Sequence, residues 1–165
     1  MFKKLILIVQ FAFTICIPSN AQFGPLTKFR HITVDDGLTQ SSVPFMLRDK
    51  AGFMWIATGD GLSRYDGSSF EVFRNILDDS TTIASDNVHT MAQTPDGNIW
   101  MGFRKEGISV LNYKTKKFTH HKANDKNKNS LCSNDIRTIV ADKKGNLWIG
   151  TADGLNFYKD RKSVV

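Results

Sequence analysis

The stretch Asp49-Lys-Ala-Gly-Phe-Met-Trp-Ile-Ala-Thr58 decides the fold, because it recurs further along the chain as Asp142-Lys-Lys-Gly-Asn-Leu-Trp-Ile-Gly-Thr151. A third tryptophan, Trp100, lies between the two copies, 45 residues after Trp55 and 48 residues before Trp148. A period of this length is typical of proteins that stack copies of one supersecondary unit. The 165-residue chain is therefore expected to be an array of repeats.

The residues around the three tryptophans also match when the tryptophans are aligned. A β-branched aliphatic residue stands twelve positions before each one, a glycine three before, a small residue two after, and a second glycine six or seven after. So many matches at three places establish the repeat. In that order the residues are Val43, Val88 and Ile136; Gly52, Gly97 and Gly145; Ala57, Gly102 and Gly150; and Gly61, Gly107 and Gly154.

Each repeat alternates short runs of aromatic and β-branched residues with glycine-containing turns, which predicts four β-strands rather than helices. Such sheets bury both faces only by packing around a common axis, as the blades of a β-propeller do. The predicted fold is all-β: a β-propeller fragment with two complete four-stranded blades, one partial blade and an N-terminal closing strand. The strands are predicted at 43–47, 53–58, 62–65 and 70–73; at 88–92, 99–102, 107–111 and 118–121; and at 136–141, 147–151 and 154–158.

The repeat boundaries divide the chain into consecutive segments. Residues 28–33 are predicted to be the closing strand, because an N-terminal strand often completes the last blade of a closed propeller. The last six residues contain neither an aromatic residue nor a turn glycine and match the translation of a common sequencing adapter, so we interpret them as a non-native tail. The segments are 1–21, a signal peptide; 22–37, the N-terminal segment with the closing strand; 38–82, blade 1; 83–130, blade 2; 131–159, partial blade 3; and 160–165, the tail.

The first residues predict export. Lys3 and Lys4 precede an apolar run at 5–17, and small residues three positions and one position before Gln22 provide a cleavage site. The run is too short to span a bilayer as a helix, and no later apolar stretch is long enough to do so. A buried N-terminal helix is the alternative interpretation. We expect the exported protein to begin at Gln22.

Charge and cysteine content argue against a nucleic-acid partner and against an internal disulfide. Cleavage removes two lysines and lowers the formal charge from +6 to +4. The lysines at 114–117 and 122–128 fall at predicted turns without interleaved arginine and aromatic residues, so no nucleic-acid partner is expected. Cys132 is then the only cysteine, so an internal disulfide is excluded and stability must come from an apolar core.

Several strings also carry a family resemblance. They are Asp36-Gly37-Leu38 with Ser41-Ser42-Val43, the two ten-residue stretches above, and Gly61-Leu62-Ser-Arg-Tyr-Asp-Gly67 with Gly154-Leu155-Asn156. Over roughly residues 29–158 the chain resembles the two-component regulator propeller repeat family. That family forms the extracytoplasmic sensors of hybrid two-component systems common in gut Bacteroidetes.

The resemblance implies a ligand-sensing propeller on the periplasmic side of the inner membrane. The remaining blades and a downstream histidine kinase would belong to the same full-length chain, and only those missing parts would touch the membrane. The resemblance also suggests a glycan fragment as the ligand, so that an oligosaccharide is the expected partner.

One turn departs from the repeat and supplies the ligand-binding candidates. Arg104-Lys105-Glu106 adds one residue before Gly107, and a position that departs from the repeat is free to serve a ligand. We therefore predict ligand contacts for Arg104 and Lys105. A solvated hairpin turn is the alternative, since charged turns are ordinary on protein surfaces.

The sequence nominates no catalytic residue, metal site or cofactor. The four histidines lack the spacing of a metal-binding pair on a helix. The acidic turns lack the alternating oxygen ligands of a calcium loop, and the nucleophile motif Gly-x-Ser-x-Gly does not occur. The aspartates before the tryptophans, Asp49, Asp96 and Asp142, are interpreted as turn formers.

Two other functions remain open. The chain could belong to an exported propeller enzyme, such as a lyase or glycosidase, whose active-site blades are missing, or to a passive surface scaffold. The reading frame beyond residue 165 distinguishes them. A membrane helix followed by kinase motifs indicates a sensor, a stop after ring closure indicates an enzyme, and an anchoring domain indicates a scaffold.

Overall fold

The computed structural model describes residues 28–159, where the regular structure is β-strand apart from one short 3₁₀ turn at Val34–Asp36. None of the described residues forms a helix that could cross a membrane. The predicted signal peptide and the predicted non-native tail lie outside the described residues. The strands are β1 (Phe45–Arg48), β2 (Met54–Thr58), β3 (Gly61–Tyr65), β4 (Phe70–Phe73), β5 (Val88–Gln93), β6 (Ile99–Phe103), β7 (Ile108–Leu111), β8 (Phe118–His121), β9 (Ile136–Ala141), β10 (Leu147–Thr151) and β11 (Gly154–Tyr158).

These strands form three antiparallel sheets in which each strand pairs with its neighbours in the chain. Strands β1–β4 form blade 1, β5–β8 form blade 2, and β9–β11 form the three-stranded blade 3. The same register recurs in every blade, which confirms the predicted all-β fold of two complete blades and one partial blade. The residues that pair across the first two strands at the tryptophan are Leu47 with Trp55, Ala92 with Trp100 and Val140 with Trp148.

The first turn of a blade is closed by a side chain six residues before the tryptophan. In blade 1, Asp49 Oδ1 accepts two backbone N–H groups of its turn, and Asp49 Oδ2 accepts the Trp55 indole N–H at 2.8 Å. In blade 2, Thr94 takes this position and its hydroxyl accepts the Trp100 indole N–H at 3.3 Å. Asp96 instead accepts the Thr94 hydroxyl at 2.6 Å. These side chains bind the turn to the strand that follows it.

Two apolar cores lie between successive blades. The second strand of one blade packs against the first strand of the next, as β2 does against β5 and β6 does against β9. Trp55 is fully buried in the first core, and Trp100 is 7% exposed in the second. The other buried residues are Ala57, Leu62, Ile83, Val88, Met91, Ile99, Met101, Phe103 and Leu111 in the first core, and Ala92, Ile108, Val110, Ile136, Ile139, Leu147 and Ile149 in the second.

Trp148 differs from the other two tryptophans, because it is 45% exposed. The shared repeat position predicts that all three tryptophans are core residues of the complete propeller, and among the described residues Trp55 and Trp100 are buried while Trp148 is not. No blade covers the Trp148 face of blade 3 within residues 28–159, so its apolar residues contact solvent. Val140, Leu155 and Phe157 lie on the same face and are exposed as well.

Two strand predictions differ from the structure by more than one residue. Strand β1 begins at Phe45 rather than at Val43, because Pro44 has no backbone N–H to donate to a sheet. Residues 28–33 form no strand. A strand needs a hydrogen-bonding partner, and the blade expected to receive this segment is not among the described residues. Its role as a closing strand stays a prediction.

The segment that leads into a blade is hydrogen-bonded to the blade before it. The Gly61 N–H donates to the Asp86 carbonyl at 2.8 Å, and the Gly107 N–H donates to the Asn134 carbonyl at 3.0 Å. Gly107 has a φ of +71°, and a Cβ atom there would collide with the His121 carbonyl oxygen, so the turn requires glycine. These bonds place the second turn of one blade beside the start of the next blade.

The exposed face around Trp148 leads to a prediction about association. We expect residues 22–165 to self-associate in isolation, because β11 is an edge strand and the adjoining face is apolar. Size-exclusion chromatography with light scattering measures this. Trp148→Asp should increase the monomer fraction, whereas Leu77→Asp, in an exposed linker, should not. A wild-type chain that elutes as a monomer would contradict the prediction.

Candidate functional site

The two residues predicted to bind a ligand lie in the turn between β6 and β7. Arg104 is partly exposed and Lys105 is exposed. Arg104 Nη1 lies 3.6 Å from Asp135 Oδ1, an ion pair that joins blade 2 to the segment leading into blade 3. Glu106 pairs with Lys122 at 2.6 Å. Of the two candidates, Arg104 is therefore the one for which the structure shows a contact with another polar side chain.

We define the blade-end cluster as His89, Arg104, Asp135 and Arg137. Arg137 Nη2 lies 2.7 Å from Asp135 Oδ2, so two guanidinium groups from two blades share one carboxylate. His89 is close enough for both arginines and Asp135 to influence its ionisation. The cluster joins the starts of β5 and β9 to the β6–β7 turn. Packing of blade 3 on blade 2 brings these segments together.

Burial and charge keep His89 neutral. Burial lowers the pKa of His89 below its ordinary value of 6.5, Arg104 and Arg137 lower it further, and Asp135 opposes them. His89 is therefore uncharged at neutral pH, and its ring presents one N–H donor and one acceptor nitrogen. The charged groups of the cluster are then two guanidinium groups and one carboxylate.

The contact between Arg104 and Asp135 is long for a hydrogen bond. Such bonds between nitrogen and oxygen span about 2.7–3.2 Å, whereas Arg104 Nη1 and Asp135 Oδ1 are 3.6 Å apart. Asp135 Oδ1 is buried without a hydrogen-bond partner among the described residues. A guanidinium group carries about five N–H donors, and the Arg104 side chain is 38% exposed. Arg104 can therefore donate to a molecule that arrives from solvent.

Sequence reasoning misses His89 and Arg137 as members of the site. Both residues directly follow the aliphatic residue that begins the first strand of a blade, and Pro44 holds this position in blade 1. Proline, histidine and arginine therefore alternate at one repeat position beside a position that stays aliphatic. That variation is the signal that could have identified them.

A cavity of about 320 Å³ lies between blades 2 and 3, lined in part by Trp100 and Tyr158. In the equivalent space between blades 1 and 2, β8 is present: Phe118 packs on the first core, and His120 bonds to Ser109 and to a linker carbonyl, each at 2.9 Å. Blade 3 has no fourth strand among residues 28–159. The cavity is therefore the space that a fourth strand occupies in a complete blade, and we do not assign it to a ligand.

Two stretches of the chain, residues 82–105 and 130–153, match the model of the family described as two component regulator propeller. Each stretch runs from the segment leading into a blade to the second turn of that blade. A histidine kinase, P4, of Formosa agariphila is 46% identical over 56 residues, which is 34% of this chain and 4% of that protein.

Solved structures share the fold. The extracellular domain of a putative hybrid two component system from B. thetaiotaomicron is similar with a TM-score of 0.68 at 26% identity, covering 82% of this chain and 20% of that one. PorZ, a surface component of the type-IX secretion system of Porphyromonas gingivalis, is similar with a TM-score of 0.57 at 21% identity, covering 71% of this chain and 17% of that one. The likeness to PorZ shows the fold alone.

The chain thus spans about a fifth of the length of the solved extracellular domain and a smaller share of the histidine kinase. The matched stretches coincide with the starts of blades 2 and 3, whose first two strands pair in the same register. The chain is a β-propeller segment in which two stretches match the two component regulator propeller model.

Proposed function

We propose that this chain is part of the extracytoplasmic, ligand-sensing propeller of a two-component signalling system, on the periplasmic side of the inner membrane. The likeness to the extracellular domain of a putative hybrid two component system carries the proposal. The segment shared with a histidine kinase supports a kinase elsewhere in the full-length protein. This chain would bind the ligand, and phosphoryl transfer would belong to that kinase.

We propose an oligosaccharide as the ligand and the blade-end cluster as one of its contacts. Guanidinium, imidazole and carboxylate groups together supply the donors and acceptors that sugar hydroxyls require. Turns held by a rigid scaffold commonly carry binding residues, and this cluster lies where a turn of blade 2 meets the start of blade 3. Arg104 is the principal candidate, and Lys105 is exposed beside it.

The other proposed partners are parts of the same full-length protein. The uncovered face that carries Trp148 and Phe157 is apolar, and a further blade would bury it as blade 3 buries the Trp100 face of blade 2. We propose that the remaining blades cover this face and complete the ring.

The test measures autophosphorylation of the full-length protein in membrane vesicles across a set of neutral and acidic oligosaccharides. We expect at least one oligosaccharide to change the phosphorylation level. Arg104→Ala should raise the concentration needed for a half-maximal response about tenfold or more, because a hydrogen bond to a charged group contributes about 1.5–3 kcal/mol. Lys128→Ala, in an exposed linker, should respond like the wild type. A reading frame without a kinase, or phosphorylation that no oligosaccharide changes, would overturn the proposal.

A further inference from the structure

We infer that the blade-end cluster recognises the acidic group, a carboxylate or a sulfate, of an anionic oligosaccharide. This inference rests on the proposed sensing function and deepens it by naming the chemical class of the ligand. It depends on the placement of Arg104 and Arg137 on either side of one blade boundary.

The two arginines already hold a carboxylate between them. Arg137 Nη2 lies 2.7 Å from one oxygen of Asp135, and Arg104 Nη1 lies 3.6 Å from the other. The two guanidinium groups therefore approach different oxygens of one carboxylate. Each arginine uses one Nη atom in these contacts, and a planar guanidinium can bind an oxyanion through two parallel N–H groups. Both arginines thus retain donors for a second oxyanion.

The charge of the cluster favours such an anion. The carboxylate of Asp135 offsets only one of the two guanidinium charges, and His89 is neutral. The Arg104 and Arg137 side chains are 38% and 52% exposed, so a dissolved ligand can reach both. A second carboxylate or a sulfate would therefore balance the remaining positive charge.

The propeller itself does not require these arginines. The position of Arg104 is taken by Gly59 in blade 1 and by Ala152 in blade 3, and the position of Arg137 is taken by Pro44 in blade 1. All three blades nevertheless form the same first three strands in the same order. Within the described chain, one blade boundary thus carries an arginine pair that strand formation does not explain.

The experiment is isothermal titration calorimetry on the complete extracellular region of the full-length protein. The probes are uronate tetrasaccharides, the same tetrasaccharides with methyl-esterified carboxyl groups, and sulfated tetrasaccharides with their unsulfated counterparts. We expect a uronate or sulfated probe to bind, and its neutral counterpart to bind about tenfold or more weakly. The acidic probe that binds identifies which of the two groups the arginines recognise.

Variants that each remove one positive charge test whether Arg104 and Arg137 cause the preference for acidic probes. Arg104→Gln and Arg137→Gln should each weaken binding of the acidic probe about tenfold or more, and should weaken binding of the neutral probe clearly less. Lys128→Gln removes the same charge from an exposed linker and should leave both affinities unchanged. Circular dichroism checks that each variant is folded. Equal affinity for acidic and neutral probes, no binding of any acidic probe, or an equal loss in Lys128→Gln would overturn the inference. A kinase that still responded to a neutral oligosaccharide would leave the proposed sensing function standing.

Discussion

Trp55→Ala is expected to lower the free energy of unfolding of the chain by about 3–5 kcal/mol, the range for truncating a buried aromatic side chain. Trp55 is fully buried, its ring centroid lies 5.5 Å from that of Phe73, and its indole N–H donates to Asp49. The substitution removes packing from the core between blades 1 and 2. Urea unfolding followed by circular dichroism, at a concentration where the chain is monomeric, measures the change.

Trp148→Ala is the matched control, because Trp148 occupies the same repeat position but is 45% exposed. We expect a loss below about 1 kcal/mol in the chain, since little buried surface is removed. In the complete extracellular region a further blade should cover this face and raise the loss to about 3–5 kcal/mol. A small loss in both proteins would show that no blade packs there. A loss below about 1 kcal/mol for Trp55→Ala would contradict its place in the first core.

Asp49→Ala is expected to cost about 3 kcal/mol of unfolding free energy, because it leaves buried donors without an acceptor. Asp49 is 5% exposed. Its carboxylate accepts the Trp55 indole N–H and the backbone N–H groups of Ala51 and Phe53. The substitution therefore loosens both the first turn of blade 1 and the tryptophan of the first core. The same urea unfolding experiment measures the loss.

Asp142→Ala provides the comparison at the equivalent turn of blade 3. Asp142 accepts the Asn146 side-chain amide and two backbone N–H groups, and the Asn146 amide holds the pKa of the Asp142 carboxyl below its ordinary value. Water can replace these bonds because the turn is accessible to solvent, so we expect a clearly smaller loss. The loss for Asp49→Asn should lie between the losses for Asp49→Ala and Asp142→Ala, because the asparagine amide oxygen can still accept the backbone N–H groups that Asp49 Oδ1 accepts. Equal losses for Asp49→Ala and Asp142→Ala would contradict the importance of the indole bond.

Most strands could be predicted because the information that forms them is local. The glycines at turns such as Gly61 and Gly107 adopt positive φ angles, and the apolar runs between such turns have the length of a strand. The predicted start of β1 was wrong by two residues, because Pro44 ends the hydrogen-bonding pattern that an aliphatic run suggests. Residues 28–33 were predicted from a role in a blade that is not among the described residues.

The candidate site could be predicted only in part. Arg104 can be predicted as a site residue because its turn has one more residue than the same turn in the other repeats. His89 and Arg137 are 48 residues apart, and each stands singly between an aliphatic residue and a threonine, so neither suggests a site alone. They join Asp135 and Arg104 in the blade-end cluster only because blade 3 packs beside blade 2.

The sequence by itself determined the repeat, the strand order within each blade and the aspartates of the first turns, because these depend on backbone sterics and on neighbours a few residues away. Only the tertiary structure decided that Trp55 and Trp100 are buried while Trp148 is exposed, and that two arginines share the carboxylate of Asp135. Burial and charge pairing depend on which blade lies beside each face. The residues that meet across such a boundary are distant in the chain, so a local sequence pattern cannot predict their contact.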